Sequence, residues 1–192
     1  MPRIYKNLKE IVAPDHTALV VWDVQKMLVN MVFNRDEFLR NINDLVEGAR
    51  SVRIPIFFTM IDPLPPAFQS PASLAMGRSF NVQDKSAFEL ALRPLEGEIV
   101  VRKNTASVFI GTNVELMFRN AGIDTMVIAG ISTEYGVESS ARDSVNRGFY
   151  TVVVSDSSSS SDKAAHERSL ENMKRLGLIN EATTKEIISA WA

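Results

Sequence analysis

Short apolar runs of strand length alternate with amphipathic segments along this chain, and that alternation constrains the fold more than any other feature. Strands of a parallel sheet are buried on both faces, so they read as continuous apolar runs, and the connections between them supply the covering helices. A length of 192 residues is most simply one domain. We therefore predict a single doubly wound α/β domain over residues 1–192, a three-layer α/β/α sandwich with a mostly parallel sheet.

Five strands are predicted, all apolar and rich in β-branched or aromatic residues: 18–22, 56–60, 98–101, 125–129 and 150–154. Helices are predicted over 34–49, from 112 or 113 to 121, over about 134–146, from about 162, and over 184–191. Asn34 followed by Glu37 predicts a capping box at the first of these helices. Residues 63–83 are predicted to form a long loop, and the serine run 155–162 to connect a strand to a helix.

Composition excludes several classes of function. Cysteine is absent, so disulfides, thiolate metal ligands and cysteine catalysis are excluded. A formal net charge of −2 gives no reason to expect a nucleic-acid partner. No apolar run approaches the roughly 18 residues of a spanning helix, and no secretion signal is recognisable. We expect a soluble cytoplasmic protein without a membrane or nucleic-acid partner.

Three candidate functional elements follow predicted strands. Asp23 follows the first strand, Lys103 the third, and the turn from Ser132 to Gly136 the fourth. The functional crevice of an open parallel sheet lies at the carboxyl ends of its strands, so these elements are expected to converge there. Taken singly, each has an ordinary explanation as a turn residue, a solvated lysine or a tight turn.

These elements lie within three ordered motifs that resemble the isochorismatase-like hydrolase superfamily: residues 20–25 (Val20-Val21-Trp22-Asp23-Val24-Gln25), 102–109 and 130–143. The resemblance covers nearly the whole chain. It implies a triad made of Asp23 as acid/base, Lys103 as its cationic partner, and a cysteine where this chain has Gly136.

The resemblance also assigns a role to the backbone of the turn. Its N–H groups would stabilise an oxyanion, and a cis peptide would join Ile131 to Ser132; the turn residues implied in this role are Ile131, Ser132, Thr133 and Tyr135.

Gly136 is the main departure from the family pattern. Removing the nucleophile of such a unit costs about 10⁶ in rate, so covalent amide hydrolysis is not expected. Isochorismatases also lack this cysteine and hydrolyse a vinyl ether, with the Asp protonating the methylene carbon and water capturing the oxocarbenium ion. Glycine is expected to leave room there for the substrate. Lys103 is expected to lower the pKa of Asp23, so burial must offset its effect if Asp23 is to act as an acid.

A second departure concerns substrate binding. Isochorismatases have a glutamine after the second strand, whereas this chain has Asp62, which repels a dicarboxylate unless a cation intervenes. Gln69 and Arg78, in the predicted loop, are candidate anion contacts.

No cofactor or metal is expected. Nicotinamidases carry an Asp-x-His motif after the second strand, which this chain lacks, and its two histidines, His16 and His166, have no recognisable ligand spacing. We expect His166 to lie on a helix surface. The expected partner is a small-molecule substrate. The resemblance implies a homo-oligomer, in which the apolar segment 187–191 serves either a subunit contact or an intramolecular one.

The leading hypothesis is therefore a hydrolase without a covalent thiol that acts on a small carboxylated enol ether or a related metabolite through Asp23 and Lys103. One alternative is a catalytically silent homologue that binds a small molecule. The other is a thiol-dependent amidohydrolase inactivated by the replacement of its cysteine with Gly136.

Overall fold

Six parallel strands form one sheet in the computed structural model of this chain, which describes residues 3–62, 64–75, 85–175 and 177–192. The strands are β1 (Thr17–Trp22), β2 (Ile56–Ile61), β3 (Ile99–Lys103), β4 (Thr125–Ile131), β5 (Tyr150–Ser159) and β6 (Asn180–Ala182). Their order across the sheet is β3-β2-β1-β4-β5-β6, and all five pairings are parallel. The predicted α/β architecture is confirmed, with a short sixth strand that was not predicted.

The described helices connect and cover these strands: α1 (Leu8–Ile11), α2 (Lys26–Val29), α3 (Arg35–Ser51), α4 (Pro71–Ala75), α5 (Val114–Asn120), α6 (Glu138–Asn146), α7 (Lys163–Arg175) and α8 (Thr184–Trp191). Single turns of 3-10 helix lie at Pro14–His16, Pro66–Phe68 and Lys85–Phe88, and a π-helical turn at Thr133–Val137 precedes α6. Within the described ranges, no helix is both long and apolar enough to cross a membrane.

Side chains of β1 alternate between two separate cores, one on each face of the sheet. Leu19 and Val21 pack with α3 and α8, whereas Val20 and Trp22 pack with α5, α6 and α7. Because successive residues of a strand point to opposite faces, a fully apolar strand is what a three-layer sandwich requires. The three-layer prediction is therefore confirmed, and it places Trp22 on the face that also carries the turn after β4.

The C-terminal helix packs inside the chain. Ile187 and Trp191 are buried, and Trp191 Nε1 donates to Val12 O at 2.9 Å. Of the two roles considered for this segment, the structure contains the intramolecular one.

Two local predictions were wrong. The Asn34 side chain makes no capping hydrogen bond, because its Oδ1 instead accepts from Ser159 Oγ at 2.5 Å. The serine run is not simply a connection, since β5 continues through Ser159 with Ser157 and Ser158 buried. Their hydroxyls bond Thr184 Oγ1 and Val154 O, so burying them leaves no polar group without a partner.

The strand order creates one topological switch point. From β1 the chain runs outward through β2 and β3, and then returns to place β4 on the other side of β1. Ligands of open α/β sheets bind outside the carboxyl ends of the strands at such a point. Asp23, after β1, and the Thr133–Val137 turn, after β4, are on its two sides.

The aromatic cluster beneath α5 gives a test of the core. Phe118 is fully buried, with ring centroids of Phe57 and Phe149 at 5.1 and 5.6 Å. We expect Phe118→Ala to lower the free energy of unfolding by about 3–5 kcal/mol, because it removes a ring and leaves a cavity. Leu116→Ala on the same helix is the control, since Leu116 is 60% exposed and should change that free energy by less than about 0.5 kcal/mol. Urea denaturation measures both, and equal losses would contradict the packing described.

Candidate active site

A buried ion pair joins the ends of β1 and β3. Lys103 Nζ donates to Asp23 Oδ2 at 2.7 Å, and the two residues are 4% and 2% exposed. Strand β2 separates β1 from β3, so the lysine side chain has to extend across the end of β2 to reach the carboxylate. Two of the three predicted elements, Asp23 and Lys103, therefore meet. Lys103 is not the solvated lysine that it could have been when considered alone.

Thr59 of β2 completes this pair. Its Oγ1 donates to Asp23 Oδ1 at 2.5 Å and accepts from the Asp23 N–H at 3.0 Å. Asp23 has φ of +44°, a left-handed conformation that Asp adopts more readily than most residues. Each carboxylate oxygen thus has a donor from a different neighbouring strand. Sequence reasoning missed Thr59, although β2 pairs with β1 and Thr59 lies near its carboxyl end.

Burial controls the titration of both charged groups. Desolvation raises the pKa of Asp23, with the Lys103 ammonium and the Thr59 hydroxyl acting in the opposite direction. Desolvation likewise lowers the pKa of Lys103, against the effect of Asp23. In a low-dielectric site the loss of hydration outweighs the attraction within the pair. The expected effect of Lys103, which acts to lower the pKa of Asp23, is confirmed, and burial offsets it as an acid role requires.

The Trp22 indole lies beneath the ammonium of Lys103. Nζ is 3.6 Å from the ring centroid, a cation–π contact within a site closed to water. Such contacts contribute about 2 kcal/mol or more when desolvated. Trp22 thus supports the cation that pairs with Asp23.

The same indole fills the nucleophile position, by which we mean the space that a side chain at residue 136 would occupy. A Cβ added to Gly136 would lie 1.8 Å from Trp22 Nε1 and 2.1 Å from Cε2. Glycine does not leave this space open for substrate, so that expectation is wrong. A cysteine cannot occupy position 136 while Trp22 keeps this conformation, which argues against a thiol amidohydrolase that has lost its cysteine.

Backbone contact with β4 fixes Trp22 from another direction. Gly130 has φ of +137°, and a Cβ there would lie 2.1 Å from Trp22 O. The pairing of β4 with β5 is irregular between Ile128 and Gly130. Only glycine fits where the two backbones approach so closely. The position of Trp22 therefore depends on two missing side chains, that of Gly130 at its backbone and that of Gly136 at its indole.

The turn after β4 has the cis peptide bond that the resemblance implied, but the N–H of Tyr135 is not free for the implied oxyanion role. The Ile131–Ser132 peptide is cis. The N–H groups of Tyr135 and Val137 both donate to Ser132 O, at 3.3 and 3.2 Å. The Tyr135 amide is therefore already paired within the turn.

His166 is buried rather than on a helix surface, which corrects the prediction. Its Nδ1 lies 2.8 Å from Thr133 Oγ1, and Thr133 Oγ1 also donates to Ser159 O at 3.2 Å. Burial lowers the pKa of His166, against nearby glutamates that include Glu134. The contact ties α7 to the turn and explains why Thr133 is buried: its hydroxyl bonds protein groups, so it is not exposed as a nucleophile.

Gln25 is a further residue that sequence reasoning missed. It is fully buried: its Nε2 donates to Ile61 O and to Phe88 O, at 3.3 and 2.6 Å, and its Oε1 accepts from the Ile61 N–H at 3.0 Å. It therefore holds the end of β2 and the segment near residue 88 beside Asp23. Its position two residues after Asp23, within the first motif, was the available signal.

The structure describes one of the two candidate substrate contacts. Gln69 Nε2 donates to Leu64 O at 3.0 Å within its own segment, and Arg78 lies outside the described residues. Asp62 does have a cation beside it, since Arg102 Nη1 is 3.4 Å from its Oδ2. Both of those side chains are exposed, so the bridge contributes little stability while neutralising Asp62 locally. No group of three or more metal-ligating side chains occurs in the described part of the chain.

Comparisons with known proteins agree on one family. A sequence model of the isochorismatase domain matches residues 17–186. The isochorismatase family protein YwoC of Bacillus subtilis is 31% identical over 179 residues, which cover 90% of this chain and 92% of that protein. Maleamate amidohydrolase of Pseudomonas putida is 36% identical over 85 residues, 44% of this chain and 40% of that protein.

Solved structures share the fold. A cysteine hydrolase from Pseudomonas syringae pv. phaseolicola superposes with a TM-score of 0.82 at 20% identity, covering 94% of each chain. An isochorismatase-like hydrolase from Alkaliphilus metalliredigens gives 0.77 at 23% identity, covering 92% of this chain and 100% of the other.

The overlap at Gly136 predicts that a cysteine there is not tolerated. We expect Gly136→Cys to lower the free energy of unfolding by about 1–3 kcal/mol, because the buried indole has to move. Trp22→Val alone should also destabilise the protein by leaving a cavity, and the double variant should lose less than the sum of the two single losses, because removing the indole vacates the nucleophile position. Ser139→Cys is the control, since it adds a thiol at a half-buried position close by. Chemical denaturation of the four proteins decides this, and a fully stable Gly136→Cys single variant would refute the packing.

Proposed function

The chain belongs to the isochorismatase family, and from that premise we propose that it is a hydrolase that uses Asp23 as a general acid and forms no covalent intermediate. The observation that carries the proposal is the buried Asp23 carboxyl, whose pKa is raised by desolvation while Lys103 and Thr59 hold it in place. An acid has to retain its proton near neutral pH, and burial favours the protonated form.

Two features support a route without a covalent nucleophile. The chain contains no cysteine, and the nucleophile position holds the Trp22 indole, which has no lone pair available for attack. The hydroxyl of Thr133 is buried and bonded to protein groups. Acid catalysis requires only a proton donor and a water molecule.

The substrate class that we propose is a small carboxylated enol ether, because hydrolysis of such an ether needs a proton donor and water but no nucleophile from the protein. Proton transfer from Asp23 to the methylene carbon converts its C=C bond to a single bond and leaves an oxocarbenium ion. Water adds to the cationic carbon and releases a proton that restores Asp23. The hemiketal then breaks its C–O bond to give an alcohol and a keto acid.

Lys103 acts as the cationic partner in this scheme. Its ammonium, 2.7 Å from Asp23 Oδ2, stabilises the carboxylate that remains after proton transfer. The contact with the Trp22 ring keeps that ammonium in place without adding a competing anion.

Removing the acid should abolish the reaction. With isochorismate as substrate, we expect Asp23→Asn to lower kcat by about 10²–10⁴-fold, the usual contribution of a positioned acid. Asp44→Asn, an exposed substitution in α3, is the control and should retain wild-type turnover. Steady-state assays of pyruvate release measure both variants. Undiminished turnover by Asp23→Asn would exclude Asp23 as the acid.

The pH dependence of turnover tests which groups set the pKa of Asp23. Turnover needs protonated Asp23, so the rate should fall as pH rises through the pKa of that carboxyl. The Thr59 hydroxyl acts to lower the pKa of Asp23, so Thr59→Val should raise that pKa further and move the descending limb to higher pH. Thr112→Val, which removes a hydroxyl far along the chain, should leave the limb unmoved. A shift to lower pH in Thr59→Val would contradict the assignment.

A second function is favoured by a specific observation. Asp23 and Lys103 are almost completely enclosed, and Trp22 fills the space beside them, which also suits a homologue that binds a small molecule without converting it. A thermal-shift screen followed by analysis of the recovered ligand separates the two functions. A tight ligand recovered unchanged, with no turnover of enol ethers, would favour the binding protein.

A further inference from the structure

The two tryptophans of this chain differ in how their indole N–H groups are used. Trp191 Nε1 donates to Val12 O at 2.9 Å. Among the described residues, no hydrogen bond is made by Trp22 Nε1, although Trp22 is only 2% exposed. The Trp22 N–H is therefore a hydrogen-bond donor that the protein leaves unused in a nearly enclosed site.

The location of this N–H indicates what it can do. Nε1 is the indole atom nearest to the nucleophile position, 1.8 Å from where a Cβ at residue 136 would stand. Every fully enclosed side-chain nitrogen or oxygen in the described residues has a partner, so Nε1 keeps contact with the small open space at this point. The ring's other neighbour is the Lys103 ammonium, which is also a donor.

We propose that the Trp22 indole N–H donates a hydrogen bond to an oxygen of the bound substrate, in the place where cysteine hydrolases of this fold carry their nucleophile. The inference rests on the proposed hydrolase function and refines its substrate. A thiolate donates electrons to an electrophilic carbon, whereas an indole N–H only donates a hydrogen bond. The polarity of this site is therefore the reverse of that of a thiolate site: the indole that fills the space beside residue 136 would meet a substrate oxygen and not a carbonyl carbon.

Two donors beside one another favour an acceptor that carries negative charge. Trp22 Nε1 and Lys103 Nζ belong to the same contact, and hydrogen bonds to charged groups are about twice as strong as neutral ones. A carboxylate oxygen of the enol ether is therefore the acceptor that we infer for the Trp22 N–H, with the nearby ammonium adding electrostatic attraction.

Matched Trp→Phe variants test the contact. Trp22→Phe keeps an aromatic ring beneath Lys103 and removes the N–H, while Trp191→Phe removes an N–H of the same kind from α8, away from the ion pair. With isochorismate as substrate, we expect Trp22→Phe to lower kcat/KM by about 10–100-fold, the loss of a hydrogen bond to a charged group. Trp191→Phe should remain within about 2-fold. A Trp22→Phe enzyme with wild-type kcat/KM would overturn the inference and leave the hydrolase function standing.

An NMR titration tests the contact without turnover. The indole N–H resonances of ¹⁵N-labelled Asp23→Asn protein can be assigned with the two Trp→Phe variants. Isochorismate should shift the Trp22 indole resonance downfield and leave that of Trp191 in place. Backbone shifts in the Thr133–Val137 turn without a Trp22 indole shift would overturn the inference alone. A wild-type protein that neither binds nor hydrolyses isochorismate would overturn both this inference and the proposed function.

Discussion

The buried pair of Asp23 and Lys103 is the interaction on which the rest of the site depends. Taking a carboxylate and an ammonium out of water costs several kcal/mol each, and their attraction repays this only when geometry and further hydrogen bonds are good. Here the pair spans three strands, because the hydroxyl of Thr59 on β2 supplies the second donor to Asp23. The registers of β1, β2 and β3 are thus coupled to the electrostatics of one carboxylate. Removing any of the three side chains leaves another without a partner in a place that water does not reach.

The second constraint is steric and lies on the other side of β1. Trp22 meets two bare Cα positions, Gly130 against its backbone and Gly136 against its indole. A large side chain on one strand is matched by a missing side chain on the turn after the next strand in the sheet. The packing stays dense because the large indole of Trp22 occupies the space that a side chain at residue 136 would otherwise take. It also limits the chemistry of this space, which holds an indole hydrogen-bond donor and no nucleophile.

The buried pair and the packing of Trp22 against glycine act on the same site. The indole excludes water from the ammonium, and the exclusion of water raises the pKa of Asp23. In the proposed mechanism, the indole that leaves no room for a thiol at residue 136 therefore also helps to keep water from the pair that holds the acid. His166 and Gln25 hold the surrounding turn and strand end in place through buried side-chain hydrogen bonds, and the Gln25 N–H also donates to Asp23 O at 2.7 Å.

Much of the fold was predictable, because periodicity and composition are local properties of the chain. The apolar runs predicted five of the six strands, and Asp162 caps α7 as its type and position suggested. The convergence of Asp23, Lys103 and the turn followed from a general rule about parallel sheets. Residues 157–159 were misassigned, since serine favours strands only when buried partners satisfy its hydroxyl, and the partners of Ser157 and Ser159 lie on distant segments.

Sequence alone determined the class of fold, the absence of a thiol and the identity of the three strand ends that meet. Tertiary structure alone decided that Trp22 fills the space beside Gly136 and that burial outweighs Lys103 in setting the pKa of Asp23. The physical reason is that hydration and packing depend on every atom within a few ångströms of a group. Those atoms come from β1, β2, β3 and the turn after β4, so no local pattern in the chain could specify them.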